Sequence, residues 1–599
     1  MYLKAITKNG VTRLYFYEAH YEPGSQNNGK GRTRQKLVKA LGNLEKLKEE
    51  YDDPIRYFTE LAKKETVEKK SLSQSVISID FDEQLSDNEN SLYNVGYVVL
   101  KNIYKELKLD EFWKLQAKKK HIKYDLEKIF RLLVFSRILF PASKKETYEK
   151  RGVYFESFDG FTLDDVYHSL DIIDEYQTEM QKWIYCQSGG ILRRDMTLSY
   201  FDCTNYYFDI GSPDVDQLDD EGKPIDVGYR KRGPEKNHRP DPIVEMGLLM
   251  DRNGIPLAYE LFPGNESEKL HMLPIIDRVK TDYSESRIIV VADRGLNTSD
   301  NIYYLNGDNK TENNQRDGYV YGQSIRGASD EFKKWVLKDD YTCEIVKDGE
   351  EDVVFRHKSR IRPKQLQVNV RTKEGRTKKV KVDVDQKQMV YYSEKYAKKQ
   401  RVDREIMVER AKDLIRNPGK YNKVTCAGSA SYIKNISFDK ETGEIIDGRH
   451  LLIDTSKIEE EEKYDGYYSI VTSELQMSDT EMRAAYRGLS RIEETFKISK
   501  SDLEARPIYV KLTAHIDAHF ATCFAALVIM RLLQAKLGNR YTVEEIIGSL
   551  KSYSCVQIDL NTFQFCYFDK ILQECEKTFD LRLSNKYARR LEIRRMLKY

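Results

Sequence analysis

The sequence predicts an α/β protein with a helical region first, five core strands next and a stretch of amphipathic strands after them. Apolar residues recur at i, i+3 and i+4 between 93 and 190, which is typical of helices. Five segments rich in β-branched and aromatic residues lie between 197 and 325. Polar and apolar residues alternate within 356–401, which predicts strands with one exposed face. A chain of 599 residues is long enough for about three to five folding units.

The composition excludes several classes of protein. Because 99 Lys and Arg residues balance 97 Asp and Glu residues, any nucleic-acid surface must be a local patch. Eight cysteines without a Cys-x-x-Cys pair argue against a disulfide framework and a zinc ribbon. The longest apolar stretch, 520–530, is shorter than the ~20 residues that cross a bilayer, and it predicts a buried core helix. The first residues lack the apolar core of a signal peptide, so we expect a cytoplasmic protein without a membrane partner.

The first 195 residues predict two regions. Residues 1–90 contain two strand-like segments and then a polar linker that begins near 63. Residues 91–195 have the periodicity of several amphipathic helices. At the other end of the chain, residues 541–599 are expected to be mainly helical.

Three acidic residues stand out by their position along the chain. Asp202 lies within the first core strand, 197–208, and Asp293 ends the apolar run 286–295. Glu493 lies in a late helix. A buried strand carries a carboxylate only at high cost unless something pairs with it. Carboxylates that meet at one sheet edge suit hard cations such as Mg²⁺, and two such ions can support phosphoryl transfer. Taken singly, each acid has an ordinary explanation as a cap, a turn residue or a solvated side chain.

The late helix is predicted to begin after Ser478, which forms a capping-box pattern with the glutamate three residues later. At ~100° per residue, one narrow stripe of this helix lies beside an apolar stripe that can face the sheet. The polar stripe holds Tyr486, Glu493, Lys497 and Lys500. The alternative is an ordinary amphipathic helix with i, i+4 charge pairs.

These residues resemble the signatures of bacterial insertion-sequence DDE transposases. The segment "DCTNYYF" (202–208) resembles the Asp-x-Thr-x-x-x-Phe signature around the first catalytic Asp, and "VVADRGL" (290–296) resembles the segment around the second. The segment "YRGLSRIEETFKISKS" (486–501) resembles the Tyr-x2-Arg-x3-Glu-x6-Lys signature of the branch that has a β-strand insertion before the Glu. The three acids occur in order, 91 and 200 residues apart, and the resemblance covers roughly 195–535.

The resemblance implies a ribonuclease-H-like fold with a mixed five-stranded catalytic core. The core would comprise 196–328 and 466–540, separated by a β-rich insertion domain at 329–465. Within this insertion, 356–401 holds sixteen Lys and Arg residues against four Asp and Glu residues, a net charge of +12. Such a charge fits contact with DNA phosphates, whose neutralisation makes binding strongly salt-dependent.

The resemblance also implies the chemistry and the site. Asp202, Asp293 and Glu493 would hold two Mg²⁺ ions, for which Mn²⁺ can substitute. Lys500 and Tyr486 would contact phosphates near the scissile bond. The enzyme would bind the terminal inverted repeats of its own insertion sequence, hydrolyse the DNA there and join the freed 3′-hydroxyl ends to target DNA.

One position departs from the branch signature, because Leu489 stands where the signature has Arg. Arg487 and Arg491 flank it and are the candidates to contact DNA instead. Basic clusters in the first 190 residues would recognise the element ends, and the joint cutting of two ends implies a homodimer. The expected location is the bacterial cytoplasm, at the nucleoid. Two alternatives stay open: a ribonuclease-H-like endonuclease without strand transfer, and a transposase-derived DNA-binding repressor.

Overall fold

The structure is a computed structural model, and it divides the chain into two compact units, Met1–Glu89 and Asn90–Tyr599. The residues that it describes are 2–8, 10–22, 32–51, 53–73, 82, 84, 91–219, 224–233, 241–283, 287–306, 316–348, 351–371, 377–417, 428–436, 445, 451–559 and 561–598.

The first unit is a three-stranded antiparallel sheet with two helices. Its elements are β1 (Tyr2–Lys8), β2 (Val11–Glu22), β3 (Arg32–Asn43), α1 (Leu44–Glu50) and α2 (Pro54–Ser73). The strands pair in the order β1-β2-β3. Two points of the prediction were wrong: β3 is a third strand, and α2 extends into the predicted linker because its Glu, Lys and Ala residues favour helix despite their polarity. Most of the remaining linker lies outside the described residues.

The second unit begins with the predicted helical region. Its elements are β4 (Leu92–Asn94), α3 (Tyr97–Glu106), α4 (Leu109–Lys119), α5 (Leu126–Leu139), α6 (Lys144–Glu149), α7 (Leu163–Glu175) and α8 (Gln177–Ser188), with a 3₁₀ turn at Arg151–Val153. The helix α5 is buried over almost its whole length, which explains its mostly apolar sequence.

A nine-stranded mixed sheet dominates the rest of this unit. Its strands are β5 (Leu198–Tyr207), β8 (Ile243–Met250), β9 (Pro256–Pro263), β10 (Ile289–Ala292), β11 (Gly318–Gln323), β12 (Thr342–Asp348), β13 (Glu351–Arg371), β14 (Thr377–Tyr392) and β17 (Tyr467–Thr472). They are ordered β12-β13-β14-β17-β11-β10-β5-β8-β9. Strands β5, β10 and β11 are parallel, and β8 and β9 form the predicted antiparallel hairpin.

Helices and short strands connect and cover this sheet. The helices are α9 (Met272–Tyr283), α10 (Ser299–Asn306), α11 (Asp330–Leu337), α12 (Glu394–Arg416), α13 (Thr455–Glu462), α14 (Asp479–Arg487), α15 (Ser490–Lys497) and α16 (Thr513–Lys536). Short turns of 3₁₀ helix lie at Glu268–Leu270, Arg294–Leu296 and Ser429–Tyr432, and a π-helical turn lies at Ile498–Asp502. Two small ladders pair β6 (Gln217–Leu218) with β7 (Pro224–Asp226) and β15 (Ile433–Lys434) with β16 (Leu452–Ile453).

The sheet has nine strands where the sequence predicted a core of five. All five predicted strands are present, in the order β9-β8-β5-β10-β11. The sheet continues because β17 pairs with β11 along one edge and with β14 of the predicted insertion along the other. An open strand edge carries unpaired N–H and C=O groups, which favours such pairing. The predicted domain boundaries stay a prediction.

The C-terminal region was predicted to be mainly helical, and this was wrong for part of it. Its elements are α17 (Val543–Ser552), β18 (Ser554–Gln557), β19 (Thr562–Phe565), α18 (Lys570–Thr578), β20 (Tyr587–Arg589) and α19 (Arg590–Met596). The three strands join β4 in a four-stranded sheet, ordered β20-β19-β18-β4. Ser554 of β18 pairs with Asn94 of β4, 460 residues earlier in the chain, and such a distant pairing leaves no local pattern in the sequence.

The two faces of the large sheet are covered differently. One face packs on the core that contains α16, and the other packs on α9 and α10. Among the described helices, α16 alone is long and apolar enough to cross a membrane, and its apolar window is completely buried inside the fold. The prediction of a buried core helix at 520–530 is confirmed.

Candidate active site

Two of the predicted acids belong to neighbouring parallel strands: Asp202 lies in the middle of β5, and Asp293 directly follows β10. Ile289 of β10 pairs with Leu198 of β5, and Val291 pairs with Tyr200. The same register, continued by two residues, sets Asp293 opposite Asp202. Neighbouring strands lie ~4.8 Å apart, and side chains alternate between the two faces of a sheet. Both carboxylates are therefore carried at the same level and on the same face of the sheet.

The third acid is carried by α15, which packs against β5. Ser478 and Glu481 cap α14 with the predicted capping box, so this prediction is confirmed. The single long helix was wrong, because α14 ends at Arg487 and α15 begins at Ser490. Gly488 lies between them against the ring of Tyr200, where a methyl group would collide with the phenol. This close contact holds α15 and Glu493 near the strand that carries Asp202.

An open groove of ≈ 1400 Å³ is lined by all three acids. Of the other predicted site residues, Tyr486, Arg487 and Lys500 also line it. Arg491 does not, because it lies beside Arg252 in a second groove and donates to the backbone oxygen of that residue. The structure thus brings six of the seven predicted site residues together.

Tyr486 is directed at Asp293. Its hydroxyl donates a hydrogen bond to Asp293 Oδ1 at 3.2 Å. Burial raises the pKa of Tyr486 well above its usual range, and the charge of Asp293 raises it further, so the phenol stays protonated and remains a donor. Tyr486 also packs closely on Gly322 of β11, where an added methyl group would meet its hydroxyl. The contact with Asp293 differs from the phosphate contact that the sequence predicted.

Lys500 reaches the groove from the π-helical turn at Ile498–Asp502. Its ammonium donates to Thr204 Oγ1 at 2.5 Å and lies 5.3 Å from the centre of the Tyr206 ring. Thr204 follows Asp202 by two residues and so shares its face of β5. The extra residue of a π turn rotates the helix face, and such turns are frequent at functional sites.

Several groove residues were missed from the sequence. Thr204 belongs to the same Asp-x-Thr motif as Asp202, so the motif itself could have indicated it. The far wall of the groove comes from the predicted insertion, and its residues include Phe355, Arg356, Tyr391 and Lys395. No sequence signal places these residues opposite the acids, because their position depends on the pairing of β14 with β17.

The donors in the groove suit a hard divalent cation in their chemistry. Asp202, Asp293 and Glu493 offer only oxygen atoms, which Mg²⁺ prefers. Among the described residues, no three His, Cys, Asp or Glu side chains are grouped closely enough to hold a metal ion by themselves. Mg²⁺ keeps several waters and is commonly held by one or two carboxylates together with substrate phosphates. The carboxylates of this groove therefore fit Mg²⁺ as part of a site that the substrate completes.

No family model matches this chain, and no curated protein matches it. The chain is similar to a solved structure described as the Mos1 transposase paired-end complex with the left transposon end. The sequence identity is 11%, the match covers 40% of this chain and 63% of the Mos1 chain, and the TM-score is 0.11. The chain thus spans less than two thirds of that relative, and this TM-score is too low to equate the two folds.

Proposed function

We propose that this protein is a DNA transposase with a ribonuclease-H-like catalytic core. The observation that carries the proposal is the common groove of Asp202, Asp293 and Glu493, in which Asp202 of β5 lies opposite Asp293, which follows the adjacent parallel strand β10. The order of the five predicted strands, with the second antiparallel to the first and the fourth and fifth parallel to it, supports the fold assignment.

The groove has the groups that DNA cleavage needs. Asp202, Asp293 and Glu493 would hold two Mg²⁺ ions, or Mn²⁺ in their place. When bound, such ions supply Lewis-acid stabilisation of charge on the phosphate and lower the pKa of bound water. The protein's own part is to hold the carboxylates in position and to place the DNA. The Tyr486 hydroxyl contributes by donating a hydrogen bond to Asp293.

Cationic side chains around the acids would bind the DNA backbone. Lys500, Arg487, Arg356 and Lys395 line the groove and can neutralise phosphates. The aromatic rings among them offer flat surfaces to bases near the cut. Arg491 lies outside this groove, so its proposed contact with DNA would belong to a neighbouring stretch of duplex.

The wider function follows from this chemistry. We propose that the protein cleaves DNA at the terminal inverted repeats of its own insertion sequence and joins the 3′-hydroxyl ends to target DNA. Its partners would be the element ends, the target duplex and a second copy of the chain, without a membrane. The proposed location is the bacterial cytoplasm, at the nucleoid.

The test uses a labelled duplex that carries the inverted repeats flanking the gene, incubated with Mg²⁺ or with EDTA. We expect metal-dependent cleavage at the repeat boundary, followed by joining to a second duplex. Glu493→Gln should abolish cleavage and leave repeat binding intact. The matched control is Glu494→Gln, because Glu494 faces Arg531 and not the groove.

The other possible results of this test distinguish the alternative functions. Cleavage without joining would identify an endonuclease. Binding without cleavage under any metal would favour the repressor and remove the catalytic role of the three acids. Normal cleavage by Glu493→Gln would show that the third acid is wrongly assigned.

A further inference from the structure

The turn that follows β10 sets the backbone at Asp293. Asp293 begins the 3₁₀ turn Arg294–Leu296, and the Leu296 amide donates to its carbonyl oxygen at 3.1 Å. The Asn297 amide continues the turn by donating to the Arg294 oxygen at 3.3 Å. Since Asp293 is exposed at the start of this turn, the direction of its carboxylate depends on how firmly the turn is held.

The side chain of Asn297 ties this turn to two other elements. Its Nδ2 donates to the backbone oxygen of Gly322 on β11 at 3.0 Å. Its Oδ1 accepts from the ammonium of Lys364 on β13, also at 3.0 Å. The first contact joins the turn to its neighbouring strand, whereas the second joins it to a strand of the predicted insertion.

Lys364 is in an unusual environment for a lysine. It is partly buried, and burial lowers its pKa. In the part of the chain that the structure describes, no carboxylate forms an ion pair with it, and its ammonium is directed at the Asn297 amide oxygen. A partly buried ammonium without a counter-ion is costly. The position of Lys364 is explained if its hydrogen bond to Asn297 stabilises the turn at the active site.

We propose that Lys364 is a positioning residue, which acts through Asn297 to hold the turn that orients Asp293. The inference rests on the proposed function, in which Asp293 is a metal ligand. It gives β13 of the predicted insertion a second role. This strand lines the groove and also supports the metal ligand Asp293 through Asn297. Mutation of a residue that hydrogen-bonds a metal ligand directly commonly lowers metal affinity 10–100-fold, and Lys364 acts from further away, so we expect an effect at the lower end of this range.

The test measures Mn²⁺ binding by the whole chain in complex with a duplex that carries the inverted repeat, from the electron paramagnetic resonance signal of free Mn²⁺, with binding to the duplex alone subtracted. Asp293→Ala reports whether the binding observed belongs to the proposed site. Lys364→Met and Asn297→Ala each break the link, and the double variant tests whether they act together. Lys144→Met is the control, because it removes a different buried lysine, in α6, that lies outside the groove. Thermal unfolding of each variant verifies that it is folded.

We expect Lys364→Met and Asn297→Ala each to weaken Mn²⁺ binding roughly tenfold. The double variant should lose little more than either single one, and Lys144→Met should bind as the wild type does. If Lys364→Met fails to fold, Lys364→Leu takes its place, because Asn297→Ala also loses the contact with Gly322 and so does not isolate the lysine.

Two results would overturn the inference while sparing the proposed function. If Asp293→Ala loses Mn²⁺ binding and Lys364→Met retains it, Lys364 does not position the ligand. If Lys364→Met binds Mn²⁺ more tightly, the lysine acts only as a charge that repels the cation. Unchanged binding by Asp293→Ala would instead refute the metal site itself, and the inference with it.

Discussion

Gly322→Ala tests the packing that directs Tyr486 at Asp293. Gly322 has an ordinary backbone conformation, so alanine is not excluded by its φ angle. The added methyl group would collide with the Tyr486 hydroxyl and lie 3.1 Å from Cζ of the same ring. One of the two elements, β11 or α14, must therefore give way.

Two opposing effects determine how Gly322→Ala changes the free energy of unfolding. Forcing a methyl group into a filled site costs about 1–3 kcal/mol. Replacing glycine by alanine stabilises a protein by about 0.4–1 kcal/mol, because it reduces the conformational entropy of the unfolded chain. We therefore expect Gly322→Ala to lower the free energy of unfolding by about 1–2 kcal/mol and, by displacing the phenol from Asp293, to slow metal-dependent cleavage.

The assay is a urea titration of four proteins: wild type, Gly322→Ala, Tyr486→Phe and the double variant. Tyr486→Phe removes the hydroxyl that the new methyl group meets, so the double variant should be more stable than the sum of the single effects predicts, by about 1 kcal/mol. Gly295→Ala is the control, since a methyl group there meets no atom within 4 Å. Purely additive effects, or a Gly322→Ala protein as stable as the wild type, would refute the close contact.

Two further predictions concern buried charges away from the groove. Arg194 and Asp251 form an ion pair whose side chains are 3% and 0% exposed. Arg194→Met leaves the carboxylate buried without its cation and should lower the free energy of unfolding by about 3 kcal/mol in a urea titration, whereas no change would contradict the pairing. Burial, with a smaller contribution from Asp174, raises the pKa of Asp517 to about 7. The folded protein then holds this proton more tightly than the unfolded chain does, so stability should fall as pH rises from ~4 to ~7 and stay low above it. Asp517→Asn should remove this decline and be the more stable protein at pH 8; parallel pH profiles would disprove the assignment.

The sequence predicted those parts of the molecule whose signals are local. The hairpin of β8 and β9, the apolar strand β10 and the capping box at Ser478 each depend on a few neighbouring residues. The joining of β14 to β17 depends on pairing between segments far apart, which alternation along one strand does not specify.

The same distinction applies within the groove. The acids could be found because motifs surround them, but the role of Tyr486 could not, since its acceptor lies 193 residues away. Helical periodicity treated 478–503 as one helix, whereas α14 ends at Arg487 and α15 begins at Ser490, with Gly488 between them packed against Tyr200. Contacts of this kind become visible only when the sheet and the helix are seen together.

The continuity of the large sheet also limits how the chain can be shortened. Deletion of 329–465 would not remove an independent domain. The strand β17 would lose its partner β14 and expose a row of unpaired backbone groups. An exposed strand edge of this kind promotes association with other chains. Length can change more freely at the connection between β13 and β14, beyond the last paired residues Arg371 and Thr377. Natural or engineered variation in the insertion should therefore be tolerated at the hairpin end and resisted where the strands join the core.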